Sequence, residues 1–69
     1  MEIEEMEKRF TYHAPKEGQH AKYELIRAMG KGFAILLDDK CPPSRELSLA
    51  FTKLEEAVMW ANASIARNE

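Results

Sequence analysis

Cys41-Pro42-Pro43-Ser44 lies between two stretches of helical apolar periodicity and constrains the fold more than any other feature. Proline lacks an amide hydrogen and its ring clashes with the preceding turn, so no helix runs on through this break. The helix before it starts near Gln19 and runs to about Asp39. The helix after it runs from about Arg45 to Arg67. Ser44 supplies an N-cap hydroxyl there, and Glu46 sits in the first turn, where a carboxylate suits the helix dipole. So short a connection makes the two helices an antiparallel hairpin. Residues 2–9 predict a short N-terminal helix with Ile3 and Met6, joined by Phe10, on one side. Thr11–Gly18 reads as a loop, because Pro15 pushes Ala14 out of helical geometry and Gly18 permits a turn. With no strand alternation, repeat or low-complexity tract, the class is all-α: one domain over residues 1–69.

Periodicity also assigns the faces. In the first long helix Tyr23, Ile26, Gly30, Phe33, Ala34 and Leu37 share one side; in the second, Leu47, Ala50, Phe51, Leu54, Val58, Ala61 and Ile65 do. Gly30 costs about 1 kcal/mol relative to alanine inside a helix. Facing Ala57 or Ala61, it would allow close backbone approach; a kink at Gly30 or Gly32 is the competing expectation. Each helix carries a second apolar group opposite its core stripe: Leu25, Met29 and Leu36 on the first, Leu49 and Trp60 on the second. A lone hairpin leaves these wet, so we expect a homo-oligomer.

Size points the same way. A chain of 69 residues buries little core. Cys41 is the only cysteine, so no intrachain disulfide reinforces the fold, and no Cys/His cluster has metal spacing. A single cysteine suits a reducing cytoplasm. The acidic start and the lack of any apolar run of about 20 residues argue against a signal peptide and a membrane span. Without export, the Asn62-Ala63-Ser64 sequon is chance.

The formal charge is −2, which opposes binding of long nucleic acid by net field. The distribution says more. Residues 1–7 hold four glutamates, whereas residues 8–31 hold six basic side chains against Glu17 and Glu24. That basic segment suits a small anion better than a long polyanion, although an ordinary solvated face has the same composition.

Nothing in the chain reads as an enzyme. Cys41 has no histidine near it in sequence. Gly30-Lys31-Gly32 lacks the strand and the spacing of a phosphate loop, so it reads as helix interior. Adjacent Glu55 and Glu56 point in different directions on a helix. His13 and His20 lack a visible nucleophile or orienting partner. We expect no catalytic residue, no metal and no cofactor.

Binding residues are easier to find. Tyr12 lies in a loop beside Arg9 and Lys16, where a base could stack on its ring for about 1–3 kcal/mol. Arg9, Lys22 and Arg27 could neutralise phosphates, the arginines bidentately. The plainer alternatives are a Tyr12 ring packed against the hairpin and an Arg27–Glu24 surface pair worth tenths of a kcal/mol. Asn62 and Arg67 could line a second polar pocket; otherwise Asn62 is a surface or interface hydrogen bonder. Trp60 reads as an interface or core residue rather than a stacking platform.

Four phrases carry a family resemblance: Arg9-Phe10-Thr11-Tyr12-His13 with Pro15-Lys16, Lys22-Tyr23-Glu24 with Ile26-Arg27, Cys41-Pro42 with Ser44-Arg45-Glu46, and Leu54 through Ala63 with Ile65-Ala66-Arg67-Asn68. From about Lys8 to Glu69 the chain resembles the phage sponges that block CBASS, the cyclic-oligonucleotide-based antiphage signalling system. A related hairpin occurs in phage sponges that counter the Thoeris defence. The resemblance implies a homohexamer in the host cytoplasm that sequesters cyclic dinucleotides such as cyclic GMP-AMP, and also cyclic trinucleotides at separate pockets, without cleaving them. It implies Tyr12 as the stacking ring and Arg27 as a phosphate contact, with Arg9, Lys22 and His13 beside them. Asn62 and Arg67 fall to the second pocket. Gly30 and Gly32 depart from the strong helix formers expected there. The alternatives are a sponge for cyclic ADP-ribose isomers and a ligand-free adaptor oligomer.

Overall fold

The computed structural model describes residues 1–69 and is entirely helical. Helix α1 spans Ile3–Phe10, α2 spans Gln19–Lys40 and α3 spans Arg45–Asn68, so all three expected helices form. Gly18 caps the start of α2 at a φ of 85°, a left-handed conformation that glycine adopts at least cost. Ser44 caps α3 as anticipated: its hydroxyl accepts the Leu47 amide at 3.1 Å. Cys41 ends α2 in extended geometry, its amide reaching the Leu37 carbonyl.

Helices α2 and α3 pack along a single seam. Tyr23 and Leu47 are buried, and Ile26, Ala34, Leu37, Ala50, Phe51, Leu54, Val58, Ala61 and Ile65 are half-buried along it. Phe33 departs from the expected core stripe and is 53% exposed. At about 100° per residue it lies at the outer edge of its stripe, roughly 80° from Tyr23, and one neighbouring helix does not reach that far.

The seam closes most tightly at Gly30. A Cβ there would lie 2.6 Å from Cγ2 of Val58, so the close approach is to Val58 rather than to Ala57 or Ala61. Helix α2 continues unbroken through both Gly30 and Gly32. Nothing lies within 4 Å of a Cβ added at Gly32. The two glycines should therefore respond oppositely to alanine. Gly32→Ala should raise stability by about 1 kcal/mol through helix propensity. Gly30→Ala should lower it by about 1 kcal/mol, because overpacking against a stiff β-branched side chain outweighs the same gain. Thermal melts of the two variants, with Gly30→Ala/Val58→Ala as the relieving pair, check this; equal shifts for both glycines would count against it.

The molecule measures 45 × 30 × 12 Å, so its thinnest dimension is about one helix layer. Its radius of gyration is 15.2 Å, against about 11 Å for a compact domain of this length. The accessible surface is 5759 Å², about 1,300 Å² more than the roughly 4,400 Å² of a typical folded monomer of this mass. Much of the excess is apolar: Leu25, Met29, Leu36, Leu49 and Trp60, the second apolar groups of the long helices, are all exposed. The apolar side of α1 is open too, through Ile3, Met6 and Phe10. No helix is long and apolar enough to cross a membrane.

Candidate functional site

The N-terminal loop meets the hairpin at its open end, where α2 begins and α3 finishes. A polar network builds this corner. Gln19, the most buried residue in the chain at 4% exposed, accepts the Lys16 amide at 2.9 Å through Oε1 and the Tyr23 hydroxyl at 3.4 Å. His13 Nε2 lies 2.8 Å from the Lys8 carbonyl. A carbonyl only accepts, so this contact requires a hydrogen on Nε2.

Beside that corner is an open concavity of about 250 Å³, lined by His13, Tyr23, Arg27, Asn62, Ala63 and Ala66. Three residues singled out from the sequence thus come together: His13 from the loop, Arg27 from α2 and Asn62 from α3. Arg27 has no carboxylate within ion-pair distance, so the Glu24 pair is not formed. Oδ1 of Asn62 is buried and has no hydrogen-bond partner within the protein. An orphaned buried acceptor costs about 1–3 kcal/mol. Arg27 also borders a second concavity of about 370 Å³ further along the seam, between Gly30, Ala34, Leu54 and Val58. Together the two offer an unpaired guanidinium over an apolar floor, with Lys31 and Glu55 also lining the second, within the size range of small-molecule sites.

The other four sequence candidates lie elsewhere. Arg67 and Arg9 line a third concavity, of about 410 Å³, with Glu5, Phe10 and Trp60. The Arg67 guanidinium stacks over Trp60 at 5.8 Å from the ring centroid. Arg9 is engaged by Glu5 at 2.9 Å, an exposed i,i+4 pair worth a few tenths of a kcal/mol and easily exchanged for a ligand anion. The structure separates Asn62 from Arg67; five positions apart, they point about 140° apart around the helix. Tyr12 is 83% exposed and lines none of the three concavities, so the ring is not packed against the hairpin. Lys22 donates to both carboxylate oxygens of Glu69 at 2.9 Å.

The sequence reading missed Tyr23 as a wall of the first concavity and Trp60 as a ring in the third. Trp60 and Arg67 are seven residues apart, which puts them on one helix face, and that spacing was the available signal.

Glu69 is the one group whose protonation the site clearly perturbs. Its carboxyl is held below the usual carboxylate range, chiefly by the hydrogen bond from Lys22 and then by the charges of Lys22 and Lys16; desolvation opposes them. A lowered folded-state value means the interaction is complete above the ordinary glutamate pKa of about 4.3 and is lost as pH falls through the folded-state value. A carboxyl-carbon NMR titration should show Glu69 titrating below the usual glutamate range, and moving up towards it in Lys22→Met. An unchanged midpoint in that variant would refute the assignment.

No curated protein and no solved structure matches this chain. A family match does, however: residues 1–66 match the Acb2/Tad1 hairpin domain. That match spans the N-terminal helix, the loop with Tyr12 and His13, and nearly all of the hairpin that carries Arg27 and Asn62, and by it the chain belongs to the family of anti-CBASS and anti-Thoeris sponges.

Proposed function

We propose that this protein is a phage immune-evasion sponge. It binds cyclic oligonucleotide second messengers in the host cytoplasm, cyclic dinucleotides such as cyclic GMP-AMP and also cyclic trinucleotides, and holds them without cleaving them. The observation that carries the reading is the concavity that unpaired Arg27 lines together with His13, Tyr23 and Asn62. A cyclic dinucleotide presents phosphates for the guanidinium, and base and ribose groups that hydrogen-bond to polar side chains on the wall. His13 adds a polar group at the rim, and exposed Tyr12 is available to stack on a base.

Sequestration is a mass-action mechanism. The sponge lowers free messenger by binding it, so the effector that reads the messenger stays unliganded. Such a role requires affinity and copy number but no bond-breaking step. The concavity offers no paired carboxylates and no cysteine beside His13 to start one. We further infer a homohexamer, in which the apolar faces of α2 and α3 and the open side of α1 are covered by other copies.

Calorimetric titration with cyclic GMP-AMP, a cyclic trinucleotide and a cyclic ADP-ribose isomer tests the reading. Saturable heat with a cyclic oligonucleotide, and its recovery intact after the complex is heat-denatured, is the expected result. Heat with the cyclic ADP-ribose isomer alone would move the protein to the Thoeris branch. No heat with any of the three would leave a ligand-free oligomer.

A further inference from the structure

We propose that Glu69 is a positioning residue: by drawing in Lys22 and Lys16 it fixes the Thr11–Gly18 loop, and with it Tyr12 and His13, against the open end of the hairpin. The inference rests on the sponge reading for its ligand but on geometry for its mechanism. Lys22 Nζ reaches both Glu69 carboxylate oxygens at 2.9 Å, joining the first turn of α2 to the residue that follows α3. Lys16 Nζ donates to the Glu69 backbone carbonyl, joining the loop to the same point. The residue the loop lysine needs is therefore itself held by the helix lysine.

The rest of the loop is bracketed by few contacts. His13 is tied to α1 through the Lys8 carbonyl at 2.8 Å. Lys16 is tied to α2 through Gln19, once by its amide and once by its carbonyl. Only Ala14 and Pro15 lie between these anchors, and proline fixes its own φ. The Gln19 bonds hold the Lys16 backbone to α2 by themselves; what Glu69 adds is the tie to the end of α3, and a shift of the Lys16 end there is passed to His13 and the neighbouring Tyr12.

The arrangement changes the role of Lys22. Its charge is paired with a carboxylate within the chain, in a pair as exposed as that of Arg9 with Glu5, whereas Arg27 has no such partner. Lys22 thus acts on a ligand through the loop, and the phosphate contact falls to Arg27.

Charge reversal tests this. Lys22→Glu, Glu69→Lys and the double exchange are compared by calorimetry with cyclic GMP-AMP and by ¹⁵N relaxation of the ligand-free loop amides, with Glu69→Gln as a milder variant. All the altered side chains are exposed, so the fold is retained. Each single reversal should lower the order parameters of the Thr11–Gly18 amides and weaken binding by about three- to tenfold, the cost of ordering one or two freed side chains. The double exchange restores the pair with opposite polarity and should recover both readouts. Singles that match the wild type in loop relaxation would overturn the proposal. So would a Lys22→Glu loss that the double exchange fails to rescue while the loop stays rigid, because Lys22 would then touch the ligand directly. If the wild type binds no cyclic oligonucleotide, the sponge reading fails, and the relaxation data alone decide the latch.

Discussion

Arg27→Ala is expected to weaken binding of cyclic GMP-AMP by about 10- to 150-fold. The estimate follows from the 1.5–3 kcal/mol of a hydrogen bond to a charged group, at about 1.4 kcal/mol per tenfold. Arg27 stands at the junction of the first two concavities and forms no ion pair, although Glu55 lines the second concavity with it, so no internal pair must break before it meets a phosphate. Arg27→Lys should fall between wild type and alanine, because lysine keeps the charge but loses the planar fork that grips two phosphate oxygens. The salt dependence of affinity should also flatten in Arg27→Ala, since one ion contact is lost. Lys53 serves as a control: it pairs with Glu56 on the surface and lines none of the concavities, so Lys53→Ala should bind as wild type. Calorimetry across the three variants at two salt concentrations makes the comparison. An Arg27→Ala protein with wild-type affinity would remove Arg27 from the site.

That Arg27, His13 and Asn62 converge was partly legible in the sequence, and the reason is geometric. The Pro42-Pro43 break fixes the turn of an antiparallel hairpin, and α2 and α3 are nearly equal in length, at 22 and 24 residues. The start of α2 must then lie beside the end of α3, so residues near 19–27 meet residues near 62–69. The same register brings Lys22 to Glu69, a pairing 47 positions apart that local spacing does not reveal. Charge marked Lys22 as a candidate ligand contact, but composition could not show that Glu69 pairs with it. Phe33 failed for a related reason. Periodicity gives direction around a helix, but how wide a stripe is covered depends on how many helices pack there, and here only one does. Tyr12 is different again. Its loop location follows from Pro15 and Gly18, but none of the concavities of the chain includes its ring.

Trp60→Ala is expected to dissociate the homo-oligomer proposed above. The 69-residue chain on its own is a single helical layer, and a layer with apolar groups on both sides is stable only when something covers them. Its surplus surface of about 1,300 Å² exceeds the roughly 800 Å² that each partner buries in a standard interface. Trp60 is 59% exposed and is the largest ring on α3, with the Arg67 guanidinium stacked on one face. Such a pair combines large apolar area with a held cation, the composition that dominates interface energetics. Truncating a central aromatic costs 2 kcal/mol or more, so the dissociation constant of each interface should rise by about 30-fold or more. Leu49→Ala removes less area and should have a smaller effect in the same direction. Sedimentation velocity at several concentrations should show the wild type assembled, Trp60→Ala shifted towards the protomer, and Leu49→Ala between them. A Trp60→Ala protein that stays fully assembled on dilution would place the interface elsewhere, on the α2 face of Leu25 and Met29 or on the open side of α1. The same run would also separate assembly from ligand chemistry. Trp60 lies outside the concavity of Arg27 and Asn62, so a dissociated variant that still binds cyclic GMP-AMP would show one protomer sufficient for binding. One that loses binding on dissociation would show that a second copy completes the site.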